Sequence, residues 1–146
     1  MHIQTAIAAA QNGCHLFIEK PLACDLDGVD ELESIVASKK LITLVTYQFR
    51  YHPHIKLIKK LLRATDRYGD AIYASAEWSE YLPDWHPWED YRKSYAANVD
   101  LGGGVFLTQI HPLNYLNFLF GDINKTLVQK HASKSLNIDV DDTADI

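Results

Sequence analysis

Apolar positions change their spacing along this chain, and each change marks an element. Thr5-Ala6-Ile7-Ala8-Ala9-Ala10-Gln11-Asn12 reads as a helix ending at Gly13, and His15 to Ile18 as a short buried strand. From Asp27 to Lys39, Val29, Leu32, Ile35 and Val36 share one helical face, with acidic residues in the first turn and Lys39-Lys40 in the last, as the helix dipole favours. Leu41 to Tyr47 is apolar and β-branched, the composition of a strand. Residues 1–47 thus read α-β-α-β, half of a layered α/β fold.

The second part of the chain has a different rhythm. Pro53 starts a helix on which Ile55, Ile58, Leu61 and Leu62 face inward while Lys56, Lys59, Lys60 and Arg63 face water. From Asp70 the alternation of Ile72, Ala74, Ala76 and Trp78 with Tyr73, Ser75, Glu77 and Ser79 has the period of two of a sheet with one covered face. Leu82 to Trp88 reads as a loop, Val105 to Gly121 as one apolar helix carrying His111, and Ile123 to Ala132 as a strand. No internal repeat, low-complexity tract or flexible linker separates the two parts.

Composition narrows the class. At 146 residues, 47% apolar and 23% charged, the chain can bury one sizeable core. Fourteen basic against nineteen acidic residues give a net charge of −5 with no basic stripe, which disfavours nucleic acid as a partner. No apolar run approaches the roughly 20 residues that span a bilayer, and Met1-His2-Ile3-Gln4 lacks a signal-peptide layout, so the expectation is no membrane and a cytoplasmic address. Cys14 and Cys24 have no Cys-x-x-Cys spacing and are read as reduced, structural thiols. His52-Pro53-His54 has no third or fourth ligand at useful spacing, so no metal is expected.

Chemistry is concentrated in two segments. Glu19-Lys20-Pro21 follows the strand His15–Ile18, which puts Lys20 at a strand's carboxyl end, where open α/β sheets bind ligands. Pro21 biases Lys20 towards extended geometry, so the ammonium can be aimed. About ninety residues later, Gly102-Gly103-Gly104 is a close-approach turn leading into the His111 segment; it lacks the Lys-Ser/Thr of a phosphate loop. Read alone, Lys20 is as readily an ordinary solvated lysine, and His111 more often a core histidine satisfied by a carbonyl.

Together these segments resemble the Gfo/Idh/MocA family of nicotinamide-dependent oxidoreductases. Gln48-Phe49-Arg50-Tyr51-His52-Pro53 is similar to the family's Asn/Gln-x-Arg-aromatic-x-Pro junction, and Tyr68-Gly69-Asp70-Ala71-Ile72 to its entry into a second domain. Tyr81 to Arg92 looks like a signature of sugar and surface-polysaccharide gene products. The resemblance covers essentially the whole chain. It implies an α/β fold: the back half of a Rossmann-type NAD(P)-binding domain over 1–47, then the start of an α+β open-sheet substrate and oligomerisation domain over 48–146.

The same resemblance implies NAD or NADP as cofactor and hydride transfer to or from a sugar, cyclitol or nucleotide sugar. It implies His111 as proton acceptor, Lys20 as orienter and electrostatic stabiliser, and Glu19, Lys20, Pro21 and Gln48 as cofactor contacts. Arg50, Trp85 and Arg92, with Tyr51, His86 and Tyr91, are candidate sugar contacts, through aromatic stacking and arginine forks. Thr108 joins them, and with Leu107 stands where the family usually has an aspartate before the histidine, which puts the imidazole's orientation in question.

The family's opening Gly-x-Gly-x-x-Gly turn does not occur in this sequence. The chain is therefore expected to be an internal fragment of an enzyme roughly twice as long or more. Alone, it is expected to be inactive, with strand edges and an apolar sheet face exposed. A homo-oligomer through the second-domain sheet is the expected assembly. The rival reading is a non-catalytic sheet module for oligomerisation or partner binding.

Overall fold

The computed structural model describes residues 2–146. Two compact units divide the chain, Met1–Tyr47 and Gln48–Ile146.

The first unit follows the apolar pattern closely. Helix α1 (His2–Gln11) leads into strand β1 (Leu16–Ile18), helix α2 (Val29–Lys39) and strand β2 (Thr43–Val45). The strands pair in parallel, Leu16 opposite Thr43 and Ile18 opposite Val45, with α2 as the crossover. Ile3, Ala6, Ile7 and Ala10 of α1, Leu16 and Ile18 of β1 and Leu32 of α2 form the core. Each large aliphatic side chain among them contributes about 1.5–3 kcal/mol of transfer free energy. Alternation puts Phe17 on the opposite face, where it is 77% exposed, and Leu44 is exposed as well. Parallel sheets are ordinarily covered on both faces, so this one keeps an open apolar side. Both cysteines are free and exposed rather than part of the core.

In the second unit a 3₁₀ turn (Gln48–Tyr51) precedes helix α3 (Pro53–Leu62), a single turn α4 (Thr65–Tyr68), a series of short 3₁₀ turns, then α5 (Val105–Thr108) and α6 (His111–Phe120). Pro53 occupies the first turn of α3, and the His52 ring accepts from the His54 N–H at 3.3 Å as its cap. Strands β3 (Gln129–His131) and β4 (Thr143–Asp145) pair antiparallel.

Several expectations need correction here. The alternating segment 70–80 joins no ladder among the described residues, and Ile72 and Tyr73 lie 99% and 83% exposed. Period two states which side chains share a face; it does not supply the neighbouring strand whose hydrogen bonds make a sheet. Only Gln129–His131 of the expected strand 123–132 is paired. The single helix expected over 105–121 is two, broken at Gln109 (φ −102°, ψ 35°). The cause is Pro112, which has no N–H and whose ring would clash with the carbonyl four residues back; it is tolerated only in a first turn, so α6 starts afresh at His111. On α3, Ile58 and Leu61 stay 40% and 43% exposed. Lys59 leaves the water-facing row: its ammonium donates to the Phe118 carbonyl at 2.8 Å and lies 3.3 Å from that ring's centre. Its long stem lets the charge reach α6 while the face around it stays wet.

Candidate functional site

Lys20 follows β1 directly, at the carboxyl end of the parallel pair. Its N–H donates to the Thr46 hydroxyl at 3.2 Å, and that hydroxyl donates to the Glu19 carboxylate at 2.6 Å. Thr46 N–H in turn donates to the Ile18 carbonyl at 2.9 Å. The residue after β2 therefore holds the backbone of Lys20 and the side chain of Glu19. The Lys20-Pro21 peptide is cis, and the Pro21 carbonyl lies 2.9 Å from Nδ1 of His2. Glu19, Lys20 and Pro21 are thus held together at the sheet end, the position where such folds take a ligand. A Gly-x-Gly-x-x-Gly turn for a dinucleotide's pyrophosphate is not in the sequence.

His111 belongs to the second unit, as the first residue of α6, and is only 6% exposed. The Phe49 ring meets it at 4.8 Å between centroids and 64°, edge to face, and Trp78 lies at 6.1 Å. Gln48, Phe49 and Arg50 sit in one 3₁₀ turn. Arg50 donates from Nε to the Asn114 carbonyl oxygen at 2.8 Å and lies over the Phe118 ring. Burial raises the Tyr115 phenol above its ordinary value, and Tyr115 shares this face with His111.

The glycine turn packs as a close approach. A side chain at Gly103 would meet the carbonyls of Tyr95 and Ala96 and the N–H of Asn98. Asp141 closes the start of α5: its carbonyl accepts from Val105 N–H at 2.9 Å and its carboxylate from Phe106 N–H at 3.1 Å. Thr108, 6% exposed, returns its hydroxyl to the Gly104 carbonyl at 2.8 Å.

Of the candidate sugar contacts, Trp85 and Thr108 line one cavity of about 350 Å³, together with Trp78, Gln109 and the carboxylates of Glu77, Glu80 and Asp145. Arg50 and Arg92 do not line it. Arg92 is spent on a two-pronged pair with Asp90, at 2.8 and 3.0 Å, which holds that carboxyl below its ordinary value. His86 is drawn to Glu89 at 2.6 Å, and the Tyr91 hydroxyl donates to the Leu136 carbonyl. Sequence reasoning passed over Phe49, Asn114 and Trp78. The signal was available: His111, Asn114, Tyr115 and Phe118 recur at helical spacing, so they form one stripe against which a neighbouring turn docks.

Residues 1–47 match the oxidoreductase family model GFO_IDH_MocA, described as an NAD-binding Rossmann fold. Levoglucosan dehydrogenase of Pseudarthrobacter phenanthrenivorans is 26% identical over 126 residues, which cover 85% of this chain and 31% of that protein. The 2,7-anhydro-N-acetylneuraminate hydratase of Mediterraneibacter gnavus is 25% identical over 124 residues, covering 83% and 31%. The chain spans 31% of the length of these curated relatives. Among solved structures, the WlbA dehydrogenase from Chromobacterium violaceum, in complex with NADH and UDP-GlcNAcA, superposes with a TM-score of 0.73 at 23% identity, covering 99% of this chain and 41% of that one. An inositol dehydrogenase homologue from Azotobacter vinelandii, complexed with NADH and myo-inositol, gives 0.64 at 15% identity over 98% and 37%. The α/β fold is common to these structures and this chain.

Proposed function

We propose, because residues 1–47 match the NAD-binding Rossmann fold of the Gfo/Idh/MocA oxidoreductase family, that this chain forms part of an NAD(P)-dependent oxidoreductase. Its substrate is a hydroxyl or carbonyl of a sugar, cyclitol or nucleotide sugar. The observation that carries the reading is Lys20, held by Thr46 at the carboxyl end of the parallel pair within the matched segment.

The cofactor, when bound, supplies the hydride acceptor or donor. In the oxidising direction the substrate hydroxyl must lose its proton as hydride leaves its carbon, which calls for a base and for positive charge beside the oxygen. His111 takes the proton on an imidazole nitrogen, and the Lys20 ammonium donates to the oxygen as negative charge develops. Glu19, Pro21 and Gln48 shape the cofactor side, and Trp85 and Thr108 contact the sugar. Levoglucosan dehydrogenase among the relatives supports the sugar class. The sheet of the second unit, whose β3 is exposed throughout, pairs with a sister subunit; concentration-independent monomer mass in light scattering would remove that part.

The test is titration of NADH into the 146-residue chain, following energy transfer from its three tryptophans. Saturable binding that Lys20→Ala weakens supports the reading. Binding that is equally tight without Lys20 counts against it, whereas a folded chain that binds no NADH would leave the enzyme reading with the longer protein alone.

A further inference from the structure

We propose that the concavity between α3 and α6 in the second unit is a binding site for a diphosphate, free or as the head of a small soluble molecule. The proposal does not depend on the roles given to Lys20 and His111.

Lys56, Lys59, Lys60 and Arg63 stand at i, i+3, i+4 and i+7 of the helix repeat, so they form one row along α3, with Arg63 as its C-terminal cap. All four line a cavity of about 470 Å³, and its fifth lining residue is Phe118 of α6. No carboxylate lines it. Among the described residues none of the four makes an ion pair, and Asp66, the acidic residue nearest to them in sequence, joins none of them. Lys59, half-buried, uses one of its three donors on the Phe118 carbonyl at 2.8 Å. Lys56 lies 5.6 Å from the centre of the Tyr51 ring. The side chains of Lys60 and Arg63 have no protein partner among the described residues.

Two features set this row apart from an ordinary solvated face. Such a face interleaves charges of both signs, whereas here every neighbour at i+3 or i+4 within the row is a like charge, an arrangement that destabilises a helix left to itself. The row also leans on a desolvated member: the Lys59 ammonium is held below the ordinary lysine pKa, first by desolvation and then by the charges of Arg63 and Arg50. A chain of net charge −5 thus gathers four cations around one hollow and leaves them uncompensated. A multiply charged anion would compensate them. The row runs about 10 Å along the helix axis, long enough for two phosphoryl groups. Arg63 offers a fork that fits two phosphate oxygens, and the lysines act as point charges. A nucleic acid needs a longer basic track than one short helix supplies.

The experiment titrates inorganic pyrophosphate into the 146-residue chain at low salt, followed by calorimetry and by amide NMR shifts. Saturable binding with a Kd of roughly 1 mM or tighter is expected, with the largest shifts in residues 56–63. The double variant Lys60→Gln/Arg63→Gln should weaken it at least about tenfold. Lys93→Gln/Lys134→Gln removes the same charge from residues that do not line the cavity, and should stay within about twofold of the parent. Equal weakening in both pairs would assign the binding to net charge and overturn the proposal. No saturable binding by the folded chain, or shifts centred outside 56–63, overturns it as well. Inorganic phosphate bound as tightly as pyrophosphate overturns the diphosphate class. ADP separates the two sources: affinity equal to that of pyrophosphate supports a diphosphate ester as the ligand, and weaker affinity supports the free ion. Should the double variant fail to fold, Arg63→Lys keeps the charge and loses the fork; weakening of about threefold supports the proposal, and none overturns it.

Discussion

One oxygen, the hydroxyl of Thr46, donates to Glu19 at 2.6 Å and accepts from the Lys20 N–H at 3.2 Å. A residue just past β2 thereby stitches the two residues just past β1, and the backbone from which the Lys20 ammonium extends is set by the neighbouring strand.

Replacing Thr46 by valine keeps the shape and removes both bonds. The Lys20 N–H is partly buried, so unfolding free energy should fall by about 1 kcal/mol, and Lys20 amide exchange should quicken. Thr46→Ser should recover most of both. Urea denaturation and amide exchange decide; valine and serine variants of equal stability and protection would show that the hydroxyl is idle.

Gly103 is hemmed in by backbone. A Cβ there would stand 2.5 Å from the Tyr95 oxygen, 2.7 Å from the Ala96 oxygen and 2.8 Å from the Asn98 nitrogen, none of them the end of a flexible side chain. Gly103→Ala should cost about 3 kcal/mol, by overpacking. Gly13, at φ +78° with nothing near its would-be Cβ, provides the control: its alanine pays only for the left-handed backbone, about 1 kcal/mol. Equal costs at the two positions would refute the close approach.

These residues show how much of the molecule could be read beforehand. The first unit was legible in its α-β-α-β order, because the helix and strand repeats are local patterns that burial enforces, although α1 starts at His2 rather than Thr5 and β2 spans only Thr43–Val45 of the expected Leu41–Tyr47. The break before His111 was legible too, from Pro112, but the apolar run around it suggested one continuous helix. The segment 70–80 was not, since pairing depends on a partner strand elsewhere, and no period in its own residues can supply one. The same holds for the site. Lys20 and His111 stood out as residue types in motifs, whereas Thr46, Phe49 and Asn114 matter through contacts between elements distant in sequence.

The Arg50–Asn114 bond links residues 64 apart in sequence and is partly buried. A double-mutant cycle with Arg50→Ala and Asn114→Ala should give a coupling of about 1 kcal/mol in unfolding free energy, the range for a hydrogen bond to a charged donor with some solvent access. Additive single mutants would mean that the bond contributes nothing to stability.

Asp142 gives the hairpin of β3 and β4 a pH dependence whose sign is determined. Its carboxylate accepts from Ser133 N–H at 2.8 Å and from the Thr143 hydroxyl at 3.1 Å, while its own N–H donates to the His131 carbonyl. Burial pushes the carboxyl up, but the hydrogen bonds to the charged form outweigh it, so its pKa lies below the ordinary value of 3.8. A carboxyl that is more acidic folded than unfolded adds stability above the unfolded value, and loses it as pH falls through the folded one. Asp142→Asn should therefore loosen the hairpin at pH 6 and make little difference well below pH 3.8, where the parent's carboxyl is protonated as well. Amide protection of Lys130 and His131 across that range is the measurement. A gap between parent and variant that persists unchanged to the acid end would assign the effect to lost packing, with the charge of Asp142 playing no part.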